Sequence, residues 1–561
     1  MYLNEIKEQL ASMLEVAPTD FAYPPSADLG DLSLPLFAVA KTRGVNPVEL
    51  AKELSASLKD SPTLVGIVKN VEAVGPYLNF YLDTSNLVSQ VISEIEKAGI
   101  RYGESDNGHE ETVMVEFSNA NTHKEYHIGH LRNLFYGDTV SRLLRLNGYQ
   151  TIPVSYINDF GIHTAKTLWN WRRNPEFAAQ DGPKGRLLGE CYARAAKELE
   201  GNEEAKAELA AVMKQIEGRS GEMYELWKET REWSISYLDE IYQRLGIKFE
   251  NIFYESEEID EGLQMVEEFL ARGIFIRSQG AVIADLEEYG LGVLPIIRSD
   301  GTALYPAADL ALARRKFQAY NLNESIYVVD IRQGLYFKQL AKIFELAGEN
   351  FNITHLGYDF VTLKNGMMSS RTGNIITYAQ IISEAYARSE KEVATRHEDW
   401  DEEKVKKTAE ALTIAALKFE MLKISADKVI TFDLEEALRF DGFTAAYLQY
   451  TGARISSILR KASESVKVDY SFLVHAKEHA LALQLSQYQE VVIKAAGQRD
   501  PSIIARYLFE LAQSFNDYYH EVNILKAEAA AAAARLGLLR AVKQVLANGF
   551  RTLGFTYLEE M

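Results

Sequence analysis

Residues 115–133 read VEFSNANTHKEYHIGHLRN, an apolar strand end, a polar turn, and a helix start with His127 and His130 set on either side of Gly129. Val113, Met114, Val115, Glu116 and Phe117 make a short run of the kind found in buried strands. A helical period then continues from His127 through Leu131, Leu134, Phe135, Val140, Leu143 and Leu144. A strand that turns directly into a helix presents free N–H groups and the positive end of the helix dipole beyond the sheet, and these attract an anion such as a phosphate chain. The two imidazoles add ring N–H donors, Gly129 lets a flat ring approach the backbone, and Lys124, three residues upstream, adds a cation.

This stretch resembles the H-I-G-H signature of class I aminoacyl-tRNA synthetases, in the form carried by arginyl-tRNA synthetases. The pattern E-F-x-x-x-N-x-x-K-x-x-H-x-G-H of that family is matched at Glu116, Phe117, Asn121, Lys124, His127, Gly129 and His130. The resemblance implies catalytic roles for Lys124, His127 and His130, and ATP contacts from His127, Gly129 and His130.

Working outward, residues 113–117, 151–157, 249–254, 326–330 and 355–363 are candidate strands, most of them followed by helical stretches. That alternation predicts a Rossmann-like doubly wound parallel sheet over 109–380, with ligands beyond the carboxyl ends of the strands. The charged helical stretch at about 166–246 is too long for a simple crossover and reads as an insertion; about 274–297 reads as a smaller, β-rich one. Upstream, helical periods at 4–14 and 47–58 and a strand pair over 71–82 predict an α+β domain at 1–108. Its 74–80 element is similar to one in the N-terminal appended domain of arginyl-tRNA synthetases, which in that family meets the tRNA elbow. Beyond residue 378 strand signals nearly vanish. The stretches 402–423, 434–461, 476–497, 501–519 and 527–554 predict an all-α bundle over 381–561, with the alanine run 529–534 as a surface helix or its N-terminal extension. The expected fold class is therefore multidomain α/β plus α.

A chain of 561 residues has room for about three or four domains. Its 60 Lys and Arg against 80 Asp and Glu give a formal charge of -20 and a pI near 5.1, which argues against broad nucleic-acid affinity; a tRNA partner needs a local basic surface. Cys191 is the only cysteine, so an internal disulfide and a thiolate zinc site are excluded. The N-terminal stretch lacks the pattern of a secretory signal, and no run of eighteen uncharged apolar residues occurs. A soluble, cytoplasmic protein with no membrane partner is expected.

The second signature loop of the resembled family, K-M-S-K-S, is present in altered form as Met367, Met368, Ser369, Ser370, Arg371, Thr372 and Gly373. Met367 and Ser370 stand where the family pattern has lysines, and the resemblance gives Lys124 the compensating charge. It also implies catalytic roles for Ser369, Ser370 and Arg371 at a pyrophosphate leaving group, and ATP contacts from Gly334 and Met368. ATP enters as a substrate with Mg2+, and no protein metal ligands are expected.

A guanidinium is best recognised by carboxylates in bidentate geometry. Tyr305 and Asp309 match the Y-x-x-x-D element of arginyl-tRNA synthetases. The resemblance implies that Asp309 pairs with the guanidinium and Tyr305 packs on the side chain. By the same resemblance Glu116 and Asn121 hold the α-amino and carboxylate end or the adjoining site, and Gln333 completes the pocket. Read alone, Asp309 is also a common helix-cap acid. Tyr336 stands where many family members carry histidine, beside the implied adenosine pocket. Asn158-Asp159-Phe160-Gly161 is similar to a family turn that shapes the pocket floor, or is a simple Asx turn. In the helical region the Y-L-Q-Y-x-x-A-R stripe at 447–454 resembles the start of the family's anticodon-binding domain. It implies tRNA contacts from Tyr447, Gln449, Tyr450 and Arg454, with Phe515, Tyr518 and Tyr519 as weaker candidates. An aromatic stripe at helical spacing is more often core than ligand.

The resemblance thus implies ligation of L-arginine to tRNA(Arg) through an arginyl-adenylate, by a monomer that activates its amino acid only when tRNA is bound. Two alternatives remain at this level: a catalytically impaired paralogue that binds tRNA or regulates, and a related ligase for another amino acid.

Overall fold

In the computed structural model, which describes residues 2–59, 61–364, 376–462 and 468–561, the apolar run ahead of the histidines forms the strand Thr112–Glu116. It lies in the middle of a five-stranded sheet ordered Ile353–Tyr358, Glu324–Asp330, Thr112–Glu116, Gln150–Ile157, Asn251–Tyr254, with every pair parallel. A central parallel strand is covered on both faces, which is why Val113, Met114 and Val115 are apolar without alternation, and all three are buried. The chain winds from this strand to one edge, then crosses back and winds to the other. Thr112–Glu116 and Glu324–Asp330 are therefore the neighbours at which the direction reverses, and a crevice opens beyond their carboxyl ends.

The helix Ile128–Leu146 follows the central strand and packs closely on it. A Cβ on Gly137 would lie 2.2 Å from the ring of Phe117, so only glycine permits this approach. Asn133 accepts from the Ser118 backbone N–H at 2.5 Å and donates to the Val328 carbonyl at 2.7 Å, joining turn, helix and fourth strand. Arg132 is buried and donates to the carbonyls of Phe360, Ser425, Ala426 and Lys428 at 3.2, 3.2, 2.9 and 2.7 Å. It ties the histidine helix to the connection leading into the C-terminal helices. Arg132→Ala leaves those acceptors unpaired and is expected to cost about 2 to 3 kcal/mol, read as a lower midpoint of thermal unfolding. An unchanged midpoint would mean that water replaces the guanidinium at no cost.

Between the second and third strands the chain forms the helices Ile162–Arg173, Lys184–Glu198, Glu203–Glu217 and Glu222–Arg244, which bury a cluster of their own around Leu168, Trp169, Ile216 and Trp227. Cys191 lies buried in this region. The β-rich stretch is a three-stranded antiparallel sheet, Ile276–Ser278, Ala281–Leu286 and Gly292–Ile297.

The N-terminal residues form a second three-stranded antiparallel sheet, Leu32–Pro35, Val68–Val74 and Tyr77–Leu82, with the helices Tyr2–Leu14, Pro47–Leu58 and Thr84–Ala98. This unit packs on the C-terminal helices through the Lys7–Glu490 ion pair at 2.7 Å, the His479–Asp31 contact at 2.7 Å, and stacked Tyr102 and Tyr488.

Several elements differ from the sequence reading. The expected strand 355–363 is two, Ile353–Tyr358 and Val361–Leu363, and the second pairs in parallel with Ile430–Phe432, in a region that reads as nearly free of strands. Three-residue strands are too short for periodicity to register. The expected helix 434–461 breaks into Leu434–Ala437 and Ala445–Lys461, the latter capped by the Thr444 hydroxyl, and 476–497 breaks into Ala476–Ser486 and Tyr488–Gln498. The alanine run opens the helix Ala529–Leu553, whose burial begins at Ala534, so it is the N-terminal extension of that helix. Among the described residues no helix is long and apolar enough to cross a membrane.

Candidate active site

The turn between the central strand and its helix is held in an unusual backbone path. Ser118, Asn119 and His123 take φ values of 73°, 42° and 60°, a region that non-glycine residues enter where surrounding structure enforces it. The enforcement is visible at His123, whose ring lies between the hydroxyls of Thr122 and Thr230, both at 2.8 Å, and whose backbone N–H donates to Ser234 at 3.1 Å. Thr167 adds a bond to the His123 carbonyl at 3.1 Å. The helical insertion therefore clamps the turn that carries Lys124.

His127 is the N-cap of the helix. Its Nδ1 accepts from the Gly129 N–H at 3.2 Å, while its own N–H donates to Nδ1 of His130 at 3.2 Å. Because both Nδ1 atoms accept, both neutral rings carry their proton on Nε2, leaving that N–H free to donate outward. The rings stack 3.7 Å apart, and a Cβ on Gly129 would come within 3.1 Å of the His127 ring, so the glycine also makes room for the stack. Loss of water lowers the His127 pKa to about 4, with a further contribution from Lys124; the same causes, together with His127, hold His130 well below its usual range. The pair is neutral at physiological pH. Lys124 is half-buried, with its ammonium 5.1 Å from the ring centre of Tyr192; desolvation and then Lys166 lower its pKa. Among the described residues no carboxylate forms an ion pair with it.

Beyond the central strand lies a cavity of about 530 Å³. The expected amino-acid residues Glu116, Asn121, Tyr305, Asp309 and Gln333 all line it, so the structure brings together five positions drawn from three separate stretches of chain. Asn119 donates to Glu116 at 3.2 Å and accepts from the Tyr156 N–H at 3.3 Å. Asn121 is bridged to Asn158, whose amide donates to Glu255 at 3.2 Å. Asp159 turns away from the cavity: it accepts from Arg231 and from the backbone and hydroxyl of Ser256, and so locks the turn to the insertion and to the helix Glu255–Ala271. Tyr336 donates to Asp309 at 2.5 Å and meets Tyr305 edge to face, which places it in the lining of this cavity. Burial pushes the Asp309 carboxyl up to about 7; Tyr336 lowers it, Glu116 raises it and Lys316 lowers it. Sequence reasoning missed Asn119, Tyr156, Lys316 and Tyr327. The hydroxyls of Tyr156 and Tyr327 are buried, and both residues line the cavity.

Gly334 opens the helix Gly334–Leu346 at the end of the fourth strand, against His355. Met368, Ser369, Ser370 and Arg371 lie outside the described residues. The described chain on either side of them ends at Lys364, paired with Asp433 at 2.9 Å, and resumes at Ile376, whose carbonyl accepts from the Ile128 N–H at 3.2 Å. The described chain that resumes at Ile376 is thus joined to the start of the histidine helix. A second cavity, of about 440 Å³, is lined by none of the expected site residues; its Arg388, Arg396 and Arg439 are each taken up by a neighbouring acid. Among the described residues no group of three or more His, Cys, Asp or Glu is placed to hold a metal ion.

In the helical region Arg454 lies over the rings of Tyr450 and Tyr519 at 4.8 and 5.4 Å, a partly exposed cationic and aromatic patch. Tyr447 is half-buried, and its hydroxyl accepts from Asn516 at 2.9 Å. Gln449 corrects the sequence reading. It is fully buried, donating to the Thr556 carbonyl and accepting from the Leu558 N–H at 3.0 Å, so its amide is not presented to a base. Phe515 and Tyr518 are likewise core residues.

A parallel sheet of this order, with the histidine pair at its switch point, defines the catalytic domain of a class I aminoacyl-tRNA synthetase, and the family model described as "tRNA synthetases class I (R), catalytic domain" matches residues 91–433. Models of the arginyl tRNA synthetase N-terminal domain and the DALR anticodon binding domain match residues 2–82 and 448–561. The chain is 36% identical to an arginine–tRNA ligase of Bdellovibrio bacteriovorus over 96% of its own length and 93% of the relative's, and 32% identical to that of Treponema pallidum over 100% and 98%. The structure superposes on Thermus thermophilus arginyl-tRNA synthetase with a TM-score of 0.83 at 28% identity, covering 100% of both chains. The chain belongs to the arginyl-tRNA synthetase family.

Proposed function

We propose that this protein ligates L-arginine to tRNA(Arg) with ATP, by way of an arginyl-adenylate. The observation that carries the reading is the convergence of Glu116, Asn121, Tyr305, Asp309 and Gln333 on one cavity beside the capped histidine pair. The arginine carboxylate attacks the α-phosphate of Mg-ATP, pyrophosphate leaves, and the terminal ribose hydroxyl of the tRNA then takes the acyl group from AMP. The magnesium ion arrives on the phosphates as part of the substrate. No side chain serves as a covalent nucleophile; position and charge stabilisation carry the barrier.

In this reading Asp309 takes the guanidinium, Tyr305 packs along the side chain, and Asn121, Gln333 and Glu116 serve the rest of the amino acid. The Nε2–H groups of His127 and His130 and the ammonium of Lys124 face the phosphates, while Gly129 and Gly334 border the nucleotide. Met368, Ser369, Ser370 and Arg371 complete the phosphate site from the second loop. Tyr450, Arg454 and Tyr519 form the patch that meets tRNA, with Tyr447 behind it. The same reading sets the domain limits at about residues 108 and 380, supported by their lying ahead of the central strand and at the start of the helix Tyr378–Arg396.

The test is isotope exchange between pyrophosphate and ATP. Exchange is expected with arginine and not with other amino acids, and only when cognate tRNA is present, because Met367 and Ser370 supply no charge to hold the loop over ATP. Exchange with another amino acid would refute the pocket assignment. Robust exchange without tRNA would refute the coupling alone.

A further inference from the structure

Behind the cavity lining, against Glu116, lies a charge that the reading above does not use. Lys316 lies seven residues after Asp309, two turns along the helix Tyr305–Tyr320, and is fully buried; Glu116, at the end of the central strand, is buried as well. The two form an ion pair. The ammonium also lies 4.7 Å from the ring centre of Tyr327 and 5.3 Å from that of Phe253, so three strands of the sheet close around it. A buried ammonium needs compensation, and an apolar side chain of similar volume often fills such a site at no loss of stability. Holding the helix on the sheet therefore does not explain the charge.

The cavity lining does. Of its two carboxylates, Glu116 is in an ion pair, whereas Asp309 is in none and faces neutral hydroxyls, with that of Tyr336 donating to it. With a guanidinium bound, the charges of Glu116, Lys316, Asp309 and the ligand sum to zero. Without the lysine the same site would bury one net negative charge, which low-dielectric surroundings disfavour. We propose that Lys316 is a positioning residue that sets substrate specificity: it neutralises Glu116 and fixes the direction of that carboxylate, leaving the pocket with the charge of Asp309 and matching it to a monocationic side chain. The proposal rests on the cavity being the arginine pocket.

The surroundings fix the expected response. The helix Glu255–Ala271 faces the pair with Glu255 and Glu258, and Glu258 is taken by Arg315. Tyr156, Tyr305, Tyr327 and Tyr336 are the other titratable groups around Asp309 and Lys316. Removing the ammonium takes from Asp309 its nearest cation and leaves it with the like charge of Glu116, so Asp309 becomes harder to ionise. Removing the charge of Glu116 has the opposite effect on Asp309.

The experiment follows the arginine KM in tRNA-dependent exchange by the full chain between about pH 6 and 9. Lys316→Met is expected to move the inflection in arginine KM upward by at least about one pH unit and to raise KM about tenfold at pH 7. The KM for ATP and kcat at saturating arginine stay within about threefold of wild type, and Lys316→Arg restores the profile. Glu116→Gln moves the inflection downward, an arm that stands even where Lys316→Met does not fold. An unshifted inflection in folded Lys316→Met overturns the proposal, as does one in Glu116→Gln. So does an equal loss of kcat at every pH, the signature of a merely structural lysine. Failure of the underlying reading is distinct, since wild-type protein would then show no arginine-dependent exchange at any pH.

Discussion

Asp309→Asn is expected to keep the fold and to lose about 2 to 5 kcal/mol of arginine binding, roughly 30-fold to several thousandfold in KM. The substitution preserves shape and retains an acceptor for the guanidinium. What it removes is the carboxylate that stands opposite the ligand charge, and the cavity has no substitute, because the other acid of the lining, Glu116, is already spent on Lys316. A guanidinium would then be buried against a site of zero net charge. The wild-type pH dependence gives an independent check. Burial raises the Asp309 pKa from 3.8 to about 7 in the free protein. The cation requires the ionised form, so affinity is full above that value and is lost as pH falls through it. Arginine KM should therefore be level at alkaline pH and rise about tenfold per unit below pH 7, and the asparagine substitution should remove that slope. Steady-state exchange across the range measures both. A folded variant with unchanged arginine KM would make Asp309 a helix-start residue and the pocket assignment wrong.

The parts of this site that sequence reveals are the local ones. The strand, turn and helix of 112–146 are legible because apolar run, breaker and helical period follow one another within a few residues, and the spacing of Tyr305 to Asp309 survives because both sit on one helix turn. Lys316 is illegible for the opposite reason. Its partner Glu116 is 200 positions away in sequence, and a lysine near the end of a helix reads as a solvated residue. Tyr156, on the strand Gln150–Ile157, is hidden in the same way, since strand periodicity does not say which end of the strand meets a ligand. The 447–454 stripe illustrates a second limit. Helical spacing groups Tyr447, Tyr450 and Arg454 on neighbouring faces, but only packing against the C-terminal residues 556 and 558 reveals that Gln449 faces inward. The short strand Ile430–Phe432 adds a third, because its existence depends on Val361–Leu363 lying beside it and on nothing in its own three residues.

Lys124→Ala is expected to slow arginine activation by about 10² to 10³-fold, the loss of about 2.7 to 4 kcal/mol that follows removal of one preorganised donor from a charged transition state. Two features give this lysine its weight. The second loop carries Met367 and Ser370 where its family pattern has cations, so fewer positive charges are available to meet the developing pyrophosphate. And the ammonium of Lys124 is held in readiness: the His123 hydrogen bonds to Thr230 and Ser234 fix the backbone beneath it, and among the described residues no acid neutralises it. A lysine already in a salt bridge would have to break that contact before serving a phosphate; this one does not. If Lys124 serves the phosphates as proposed, and the patch of Tyr450 and Arg454 serves the tRNA, tRNA affinity should change by less than about threefold. Pyrophosphate exchange at saturating tRNA, set beside a direct measurement of tRNA binding, separates the two effects. Near-wild-type exchange by the alanine variant would move the phosphate charge elsewhere, to Arg371 or to Lys166 of the insertion. An equal loss in exchange and in tRNA binding would mean instead that Lys124 serves the acceptor end of the tRNA and not the nucleotide.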